Sequence, residues 1–183
     1  MDINTAKEAL LKRSNAFRER YFTAYGQLVL RVNEETYISS RENLRLSKLT
    51  EKDFDLFDIN TGDIGRIFSS RDDINAIVFI CTEAAVRFSK ENQIMRPALD
   101  DLAQIIGPDV TVCPDGTART LLKALRNRRG CFIQGSGIIA VGGYHRRGHR
   151  RCPHPGEKCG SGDLLRQAER TPIPESGGCS GAS

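Results

Sequence analysis

Histidine is the residue that this sequence lacks most clearly. The chain has 183 residues and three histidines, and all three come after Gly143. The first 143 residues therefore contain no imidazole that could bind a catalytic metal ion. Long apolar runs are absent as well, since no stretch approaches the roughly 18 apolar residues of a membrane span. The first residues, MDINTAKEALLKRS, show no signal-peptide pattern. We therefore expect a cytoplasmic protein without membrane contact.

The charges give most of the chain no reason to bind nucleic acid. The net charge is +4, from 27 Lys/Arg and 23 Asp/Glu. Residues 143–183 hold 7 of these basic and 4 of these acidic residues, which leaves 20 against 19 for residues 1–142. A nearly neutral body predicts no basic face for a nucleic-acid backbone.

Six cysteines form two groups of three. Cys81, Cys113 and Cys131 lie in apolar, strand-like stretches. In a cytosolic protein such cysteines are expected to be small buried side chains rather than disulfides. The other three lie near the end of the chain, in sequence rich in Gly and Pro.

Helix and strand patterns alternate through Gly142. NTAKEALLKRSNAFRERYF predicts a helix with Asn4 or Thr5 as its N-cap, and NAIVFIC is apolar throughout, which predicts a central strand. Further strands are predicted over QLVLRV, TYISS, FDLFDI, DVTVC and CFIQGSGIIAVG, and helices over TEAAVRFSKEN, RPALDDLAQIIG and DGTARTLLKALRNRRG. The alternation predicts an α/β fold, a sheet covered by helices.

The composition changes after Gly142. Residues 143–183 hold 8 of the 17 glycines and 4 of the 7 prolines, with Tyr144 as the only aromatic residue. Such a segment cannot bury enough apolar surface to offset the entropy lost on ordering. The sequence therefore predicts one domain over 1–142 and a basic, disordered tail over 143–183.

Four segments of the predicted domain resemble the class II aldolase/adducin family. YGQLVLR resembles its GN-x-S-x-R loop, and DDINAIVFICTEAA resembles its D-x-N-A-V-V-H-T-H-S element. RPALDDLAQIIGPDVTVCP is similar to its later helix and strand, and FIQGSGIIAVG to its strand–NHG–strand element. The resemblance covers roughly residues 5–142. It implies a three-layer fold with a central, mainly antiparallel sheet flanked by helices.

The family's activity implies a test of the site. Its enzymes cleave or isomerise sugar phosphates with Zn²⁺ or another divalent cation held by three histidines, and a carboxylate of an SSE motif transfers protons. The corresponding ligand positions are Phe79, Cys81 and Ser136. Phenylalanine cannot bind a cation, serine is a poor zinc ligand, and one thiolate does not make a site, because a catalytic zinc needs about three protein ligands. The only similar letters to SSE, Ser69 to Arg71, fall on a helix end. We therefore expect no metal, no cofactor and no catalytic residue.

The sequence thus predicts a family member that lacks aldolase activity and binds a small ligand or a protein. A phosphorylated, sugar-like ligand and a homo-oligomer are both compatible with the resemblance. Candidate ligand-binding residues are Gly26, Ser39, Ser40, Ser136 and Gly137. For Ser39 and Ser40, ordinary loop serines are the favoured interpretation. The alternative function is a residual metal-dependent sugar-phosphate aldolase that uses Cys81 and histidines of the tail.

The tail itself leaves several interpretations open. HRRGHRRCPHPGEKC carries a His-x3-His-x2-Cys-x-His-x4-Cys array, which could hold zinc, and arginines that suit phosphate backbones. An unstructured tail is favoured over both, and nucleic-acid binding is disfavoured. A reading shifted by one base permits TIDEAIDAARILEKSAEVE, which resembles the family's next helix. We hypothesise an out-of-frame tail and a fold incomplete at its C-terminus, which gene sequencing past the Gly142 codon would test.

Overall fold

The computed structural model describes residues 1–20, 23–91, 94–96, 107 and 109–143. The tail from 144 onward and nearly all of the helix predicted over RPALDDLAQIIG lie outside the described residues, so these predictions stay predictions. The described helices are α1 (Ile3–Arg20), α2 (Gly62–Ser70), α3 (Glu83–Lys90) and α4 (Ala118–Ala124). The described strands are β1 (Tyr25–Arg31), β2 (Thr36–Ser40), β3 (Leu44–Arg45), β4 (Phe54–Asp58), β5 (Ala76–Cys81), β6 (Val112–Cys113), β7 (Gly130–Ile133) and β8 (Gly137–Gly142).

The eight described strands form one sheet, in the order β4-β2-β1-β5-β8-β7-β6, with β3 paired to the first residues of β1. Every pairing is antiparallel except β6 with β7. Strand β5 lies in the middle, between β1 and β8. This confirms the central strand predicted from NAIVFIC, since a strand covered on both faces can be apolar throughout.

Helices cover both faces of the sheet. Because side chains alternate along a strand, Ile77 of β5 packs on one face with Phe68 of α2 and Leu121 of α4. Val78, the next residue of β5, packs on the other face with Leu10 of α1. Helix α3 also lies on this second face, where its Phe88 ring contacts the Phe132 ring of β7 at 4.6 Å between centroids. The predicted three-layer fold with a mainly antiparallel sheet is therefore confirmed.

Two local predictions differ from the structure. Helix α1 begins at Ile3, and the carboxylate of Asp2 accepts hydrogen bonds from the backbone N–H and hydroxyl of Thr5. The N-cap is therefore Asp2 rather than Asn4 or Thr5. The alternation of FDLFDI predicts a half-buried strand; the strand exists as β4, but only Phe54 is buried in it, because β4 is an edge strand of the described sheet.

Arginine side chains form hydrogen bonds and ion pairs around Asp73, just before β5 begins. The Arg71 guanidinium donates to both carboxylate oxygens of Asp73 at 2.6 and 2.8 Å, and also to the Leu125 carbonyl at 2.6 Å after α4. Arg129 lies 3.1 Å from the same carboxylate. Arg31 of β1 donates to the Phe68 carbonyl near the end of α2. The arginine hydrogen bond to Asp73 is the main reason why the pKa of that carboxyl falls from 3.8 to about 2.

The described helices include none that is long and apolar enough to cross a membrane.

Candidate functional site

A cavity of about 600 Å³ opens where β5 ends. That volume lies in the range of small-molecule sites, about 300–1,000 Å³. Its walls come from β1, β2, β4, β5, β7 and β8 and from the starts of α2 and α4. All seven residues singled out from the sequence line it: Gly26, Ser39, Ser40, Phe79, Cys81, Ser136 and Gly137. Residues far apart in the chain are thus brought to one place.

Two glycines that line the cavity allow close backbone contact with strand β5. A Cβ on Gly26 of β1 would lie 1.9 Å from the Phe79 carbonyl oxygen, and a Cβ on Gly137 of β8 would lie 2.3 Å from the Ile80 carbonyl oxygen. Real Cβ atoms do not approach that closely. Gly137 also has a φ of +131°, which disfavours other residues. Both glycines let their strands approach β5, so their observed role is close backbone packing.

The two serines of β2 use their hydroxyls inside the protein. The Ser39 hydroxyl donates to the Ser40 carbonyl at 2.9 Å and accepts from the Gln27 amide at 2.9 Å. The Ser40 hydroxyl accepts from the Leu28 N–H at 3.0 Å and donates to the Arg41 carbonyl at 3.2 Å. Both serines are about 1% exposed. Both hydroxyls therefore take part in internal hydrogen bonds, and both serines lie in strand β2 rather than in a loop.

Ser136 lies in the turn between β7 and β8, and its side chain is exposed. The Ser136 N–H donates to the Ile133 carbonyl at 3.0 Å. The preceding Gly135 N–H donates to the hydroxyl of Ser89, a fully buried residue of α3, at 3.0 Å. The Ser89 hydroxyl in turn donates to the Val86 carbonyl at 2.8 Å. One buried hydroxyl therefore connects the cavity rim to α3.

Several charged residues of the lining escaped the sequence analysis. Arg41 lies 3.6 Å from Asp55, and both side chains are more than half exposed. Glu42 and Asp63 also line the cavity. The Asp63 carboxylate accepts from the Ala118 N–H at 3.0 Å and so caps α4 from the neighbouring helix. These residues lie in separate elements, so no local pattern in the sequence points to them.

Solved structures provide the comparison for this architecture. An L-fuculose 1-phosphate aldolase superposes with a TM-score of 0.65 and 21% identity, over 79% of this chain and 78% of that one. YgbL from Klebsiella pneumoniae, a putative aldolase/epimerase/decarboxylase, gives 0.66 and 14% identity, over 78% of this chain and 80% of that one. The L-fuculose-1-phosphate aldolase from Thermus thermophilus gives 0.63 and 16%, over 75% and 79%. The chain has the class II aldolase fold. No protein-family model and no curated sequence matches it.

Within this class II aldolase fold, the three positions that the resemblance matches to metal ligands line the cavity, and their residues do not fit a catalytic cation. The Phe79 side chain packs against the core on the face of α2 and α4, where it occupies space with apolar surface. Cys81 is half-buried and is a free thiol. Ser136 offers one neutral hydroxyl. Across the described residues, no three His, Cys, Asp or Glu side chains are placed to hold a metal ion.

Proposed function

We propose that this chain is a class II aldolase/adducin-family member that binds a small ligand in the cavity at the end of β5 and lacks aldolase activity. One observation carries the proposal. Phe79, Cys81 and Ser136 all line the cavity, and these are the positions that the sequence resemblance matches to the three metal ligands. At most one of these side chains is a good ligand for a divalent cation. The fold is then retained while the metal chemistry is not.

The remaining surface of the cavity suits a small organic molecule. Phe79, Leu121 and Ile133 line it with apolar side chains of the core on the face of α2 and α4. Polar residues such as Gln27 and Arg41 line it as well. An apolar wall with few polar contacts is typical of ligand pockets. These features support binding of a small molecule without requiring chemistry on it.

A phosphorylated, sugar-like ligand remains within the proposal. Among the described lining residues, Arg41 is the only cation, and it lies next to Asp55. A phosphate group would therefore compete with Asp55 for the Arg41 guanidinium. A homo-oligomer and a cytoplasmic location stay predictions from the sequence.

Metal content and activity test the proposal together. We expect the purified full chain to bind less than about 0.1 zinc per chain and to leave L-fuculose 1-phosphate, the substrate named for a structural neighbour, uncleaved in the presence of added zinc. A triple variant, Phe79→His, Cys81→His and Ser136→His, is expected to gain close to one zinc per chain, because it provides three imidazoles around the cavity. Phe79→Asn, Cys81→Asn and Ser136→Asn is the matched control.

The outcomes separate the candidate functions. The residual aldolase would be supported instead if the unmodified chain held stoichiometric zinc and cleaved the substrate, and if Cys81→Ala lost that zinc.

Calorimetric titration with L-fuculose 1-phosphate then measures binding of the ligand, and Gly116→Phe serves as a variant in which the cavity is obstructed. Gly116 is suitable because a Cβ there meets only the Ile133 side chain at 3.9 Å or more. Binding that Gly116→Phe leaves unchanged would place the ligand elsewhere and contradict the proposed site.

A further inference from the structure

Two free thiols, neither of which lines the cavity, lie in contact inside the protein. The sulfur atoms of Cys113 and Cys131 are 3.5 Å apart. Cys113 belongs to β6 and Cys131 to β7, two parallel strands in which Cys113 pairs with Ile133. Because side chains alternate along a strand, Cys131 and Ile133 point to the same face as Cys113. Both cysteines are buried, at 2% and 0% exposure.

We propose that Cys113 and Cys131 form a reversible dithiol–disulfide site that a peroxide oxidises. In the first step the Cys113 thiolate attacks one peroxide oxygen, the O–O bond breaks, and water leaves after protonation. The resulting sulfenic acid is attacked by the Cys131 thiol sulfur. The S–S bond forms, the S–O bond breaks, and the Cys131 proton leaves with the hydroxyl as a second water. Two electrons pass from the sulfur pair to the peroxide.

The sulfur atoms are close, but the bond requires β6 to move relative to β7, because Cys113 pairs with Ile133 and Cys131 lies two residues earlier along β7. The sulfurs need to approach from 3.5 Å to about 2.05 Å, the length of a disulfide bond. Strand β6 has only two residues, is the last strand of the described sheet and is followed by Pro114. A short edge strand opens more readily than a central one, which gives a small oxidant access to buried sulfur.

The two sulfurs differ in their readiness to react. The hydrogen bond with Cys131 lowers the pKa of the Cys113 thiol below its ordinary value. The same contact, and then burial, raise the pKa of the Cys131 thiol. The thiolate is the nucleophile, and Cys113 lies on the short last strand of the described sheet, where a peroxide reaches it first. We therefore assign Cys113 as the attacking sulfur and Cys131 as the resolving one.

Oxidation would fix one wall of the cavity. The two cysteines are 18 positions apart, and α4 lies between them. A disulfide would close this segment into a ring and tie β6 to β7. Gly116 and Leu121, which line the cavity, lie inside the ring. The site is therefore a redox control on the rigidity of that wall.

Peptide mapping of the full chain tests the proposal. The protein is treated with hydrogen peroxide, remaining thiols are alkylated, and the chain is digested with trypsin, which separates the two cysteines because Arg119 lies between them. We expect a linked pair of peptides about 2 Da lighter than the sum of the two free peptides, since two hydrogens are lost. Dithiothreitol should abolish it. Thermal unfolding should occur at a higher temperature after oxidation.

Control variants make the outcome decisive. Cys113→Ala and Cys131→Ala should each abolish the linked pair, whereas Cys81→Ala, which removes the half-buried thiol of the cavity, should leave it unchanged. Circular dichroism checks that each variant is folded. If a variant does not fold, peptide mapping of the unmodified chain alone tests the proposal. Recovery of both cysteines as free thiols, while Cys81 is oxidised, would overturn the proposal. So would a disulfide that joins either residue to a cysteine of the 143–183 segment.

Discussion

The two ends of strand β5 are built from different interactions. At its start, Arg71 and Arg129 surround Asp73, and Arg71 also binds a carbonyl after α4. At its other end, the backbones of Gly26 and Gly137 lie close against β5, beside a cavity lined by both apolar and polar side chains. Charged side chains hold the first end together, whereas the second end depends on close backbone contact.

This difference shows which features a site can lose while its fold persists. The contacts of Gly26 and Gly137 depend on backbone atoms, so they are independent of the identity of the side chain at Phe79 or Cys81. A change of side chain at either position would therefore leave the strand pairing of β5 intact. The cavity keeps its shape from the backbone, and its chemistry is set separately by the side chains.

The largest effect is expected at the cavity end, from Gly137→Ala. The added Cβ would lie 2.3 Å from the Ile80 carbonyl, at a φ of +131°, so the strands must separate. We expect a loss of about 3 kcal/mol or more in the free energy of unfolding, measured by urea denaturation. Gly142→Ala on the same strand is the matched control, since nothing lies within 4 Å of its added Cβ. Equal stability of the two variants would contradict the backbone explanation.

A smaller loss is expected at the charged end, from Arg71→Ala. The substitution removes two hydrogen bonds to Asp73 and one to the Leu125 carbonyl. Because the Arg71 side chain is only 21% exposed, we expect a loss of about 2 kcal/mol on urea denaturation. Arg66→Ala is the control: its side chain is 74% exposed and 3.8 Å from Asp63, so its loss should stay below about 0.5 kcal/mol. If Arg71→Ala also lost less than about 0.5 kcal/mol, the interactions of Arg71 before β5 would contribute little to the free energy of unfolding.

The smallest expected effect is a pH dependence of the free energy of unfolding, and it comes from Asp73, just before β5. The pKa of Asp73 is lowered from 3.8 to about 2 in the folded protein. Its contribution is therefore fully present above the unfolded pKa and is lost as the pH falls through about 2. Since the Asp73 side chain is 40% exposed, screening reduces the contribution to about 1 kcal/mol.

Asp73→Asn tests this assignment. We compare urea denaturation of the unmodified chain and of the variant between about pH 5 and pH 2. Over this range the unmodified chain should lose about 1 kcal/mol of its free energy of unfolding. The variant should lose that part of the acid dependence, whereas Asp72→Asn, at the exposed neighbouring residue, should retain it. An unchanged pH profile in Asp73→Asn would remove Asp73 as its source.

The sequence predicts the layered fold well because the main signals are local. NAIVFIC is apolar at every position, and a strand covered on both faces requires that pattern. FDLFDI shows where such reasoning fails. Its alternation predicts a half-buried strand, yet Leu56 and Phe57, which lie on opposite faces of β4, are 49% and 41% exposed. Whether a strand lies at the edge depends on the order of strands in the sheet, which local alternation does not encode.

The resemblance singled out residues that line one cavity. It did not predict their hydrogen bonds or the charged residues beside them. All seven residues singled out line one cavity, but the hydroxyls of Ser39 and Ser40 turn inward to backbone groups. Arg41 and Asp63 were missed, because their relation to the cavity arises only from the packing of separate elements. The contact of Cys113 with Cys131 was missed for the same reason.

The Ser89 hydroxyl ties helix α3 to the loop that carries Ser136. With one hydrogen bond received from Gly135 and one given to Val86, this oxygen has a neighbour on each side. Any sliding of α3 along the sheet would pull that loop with it and alter the entrance to the cavity.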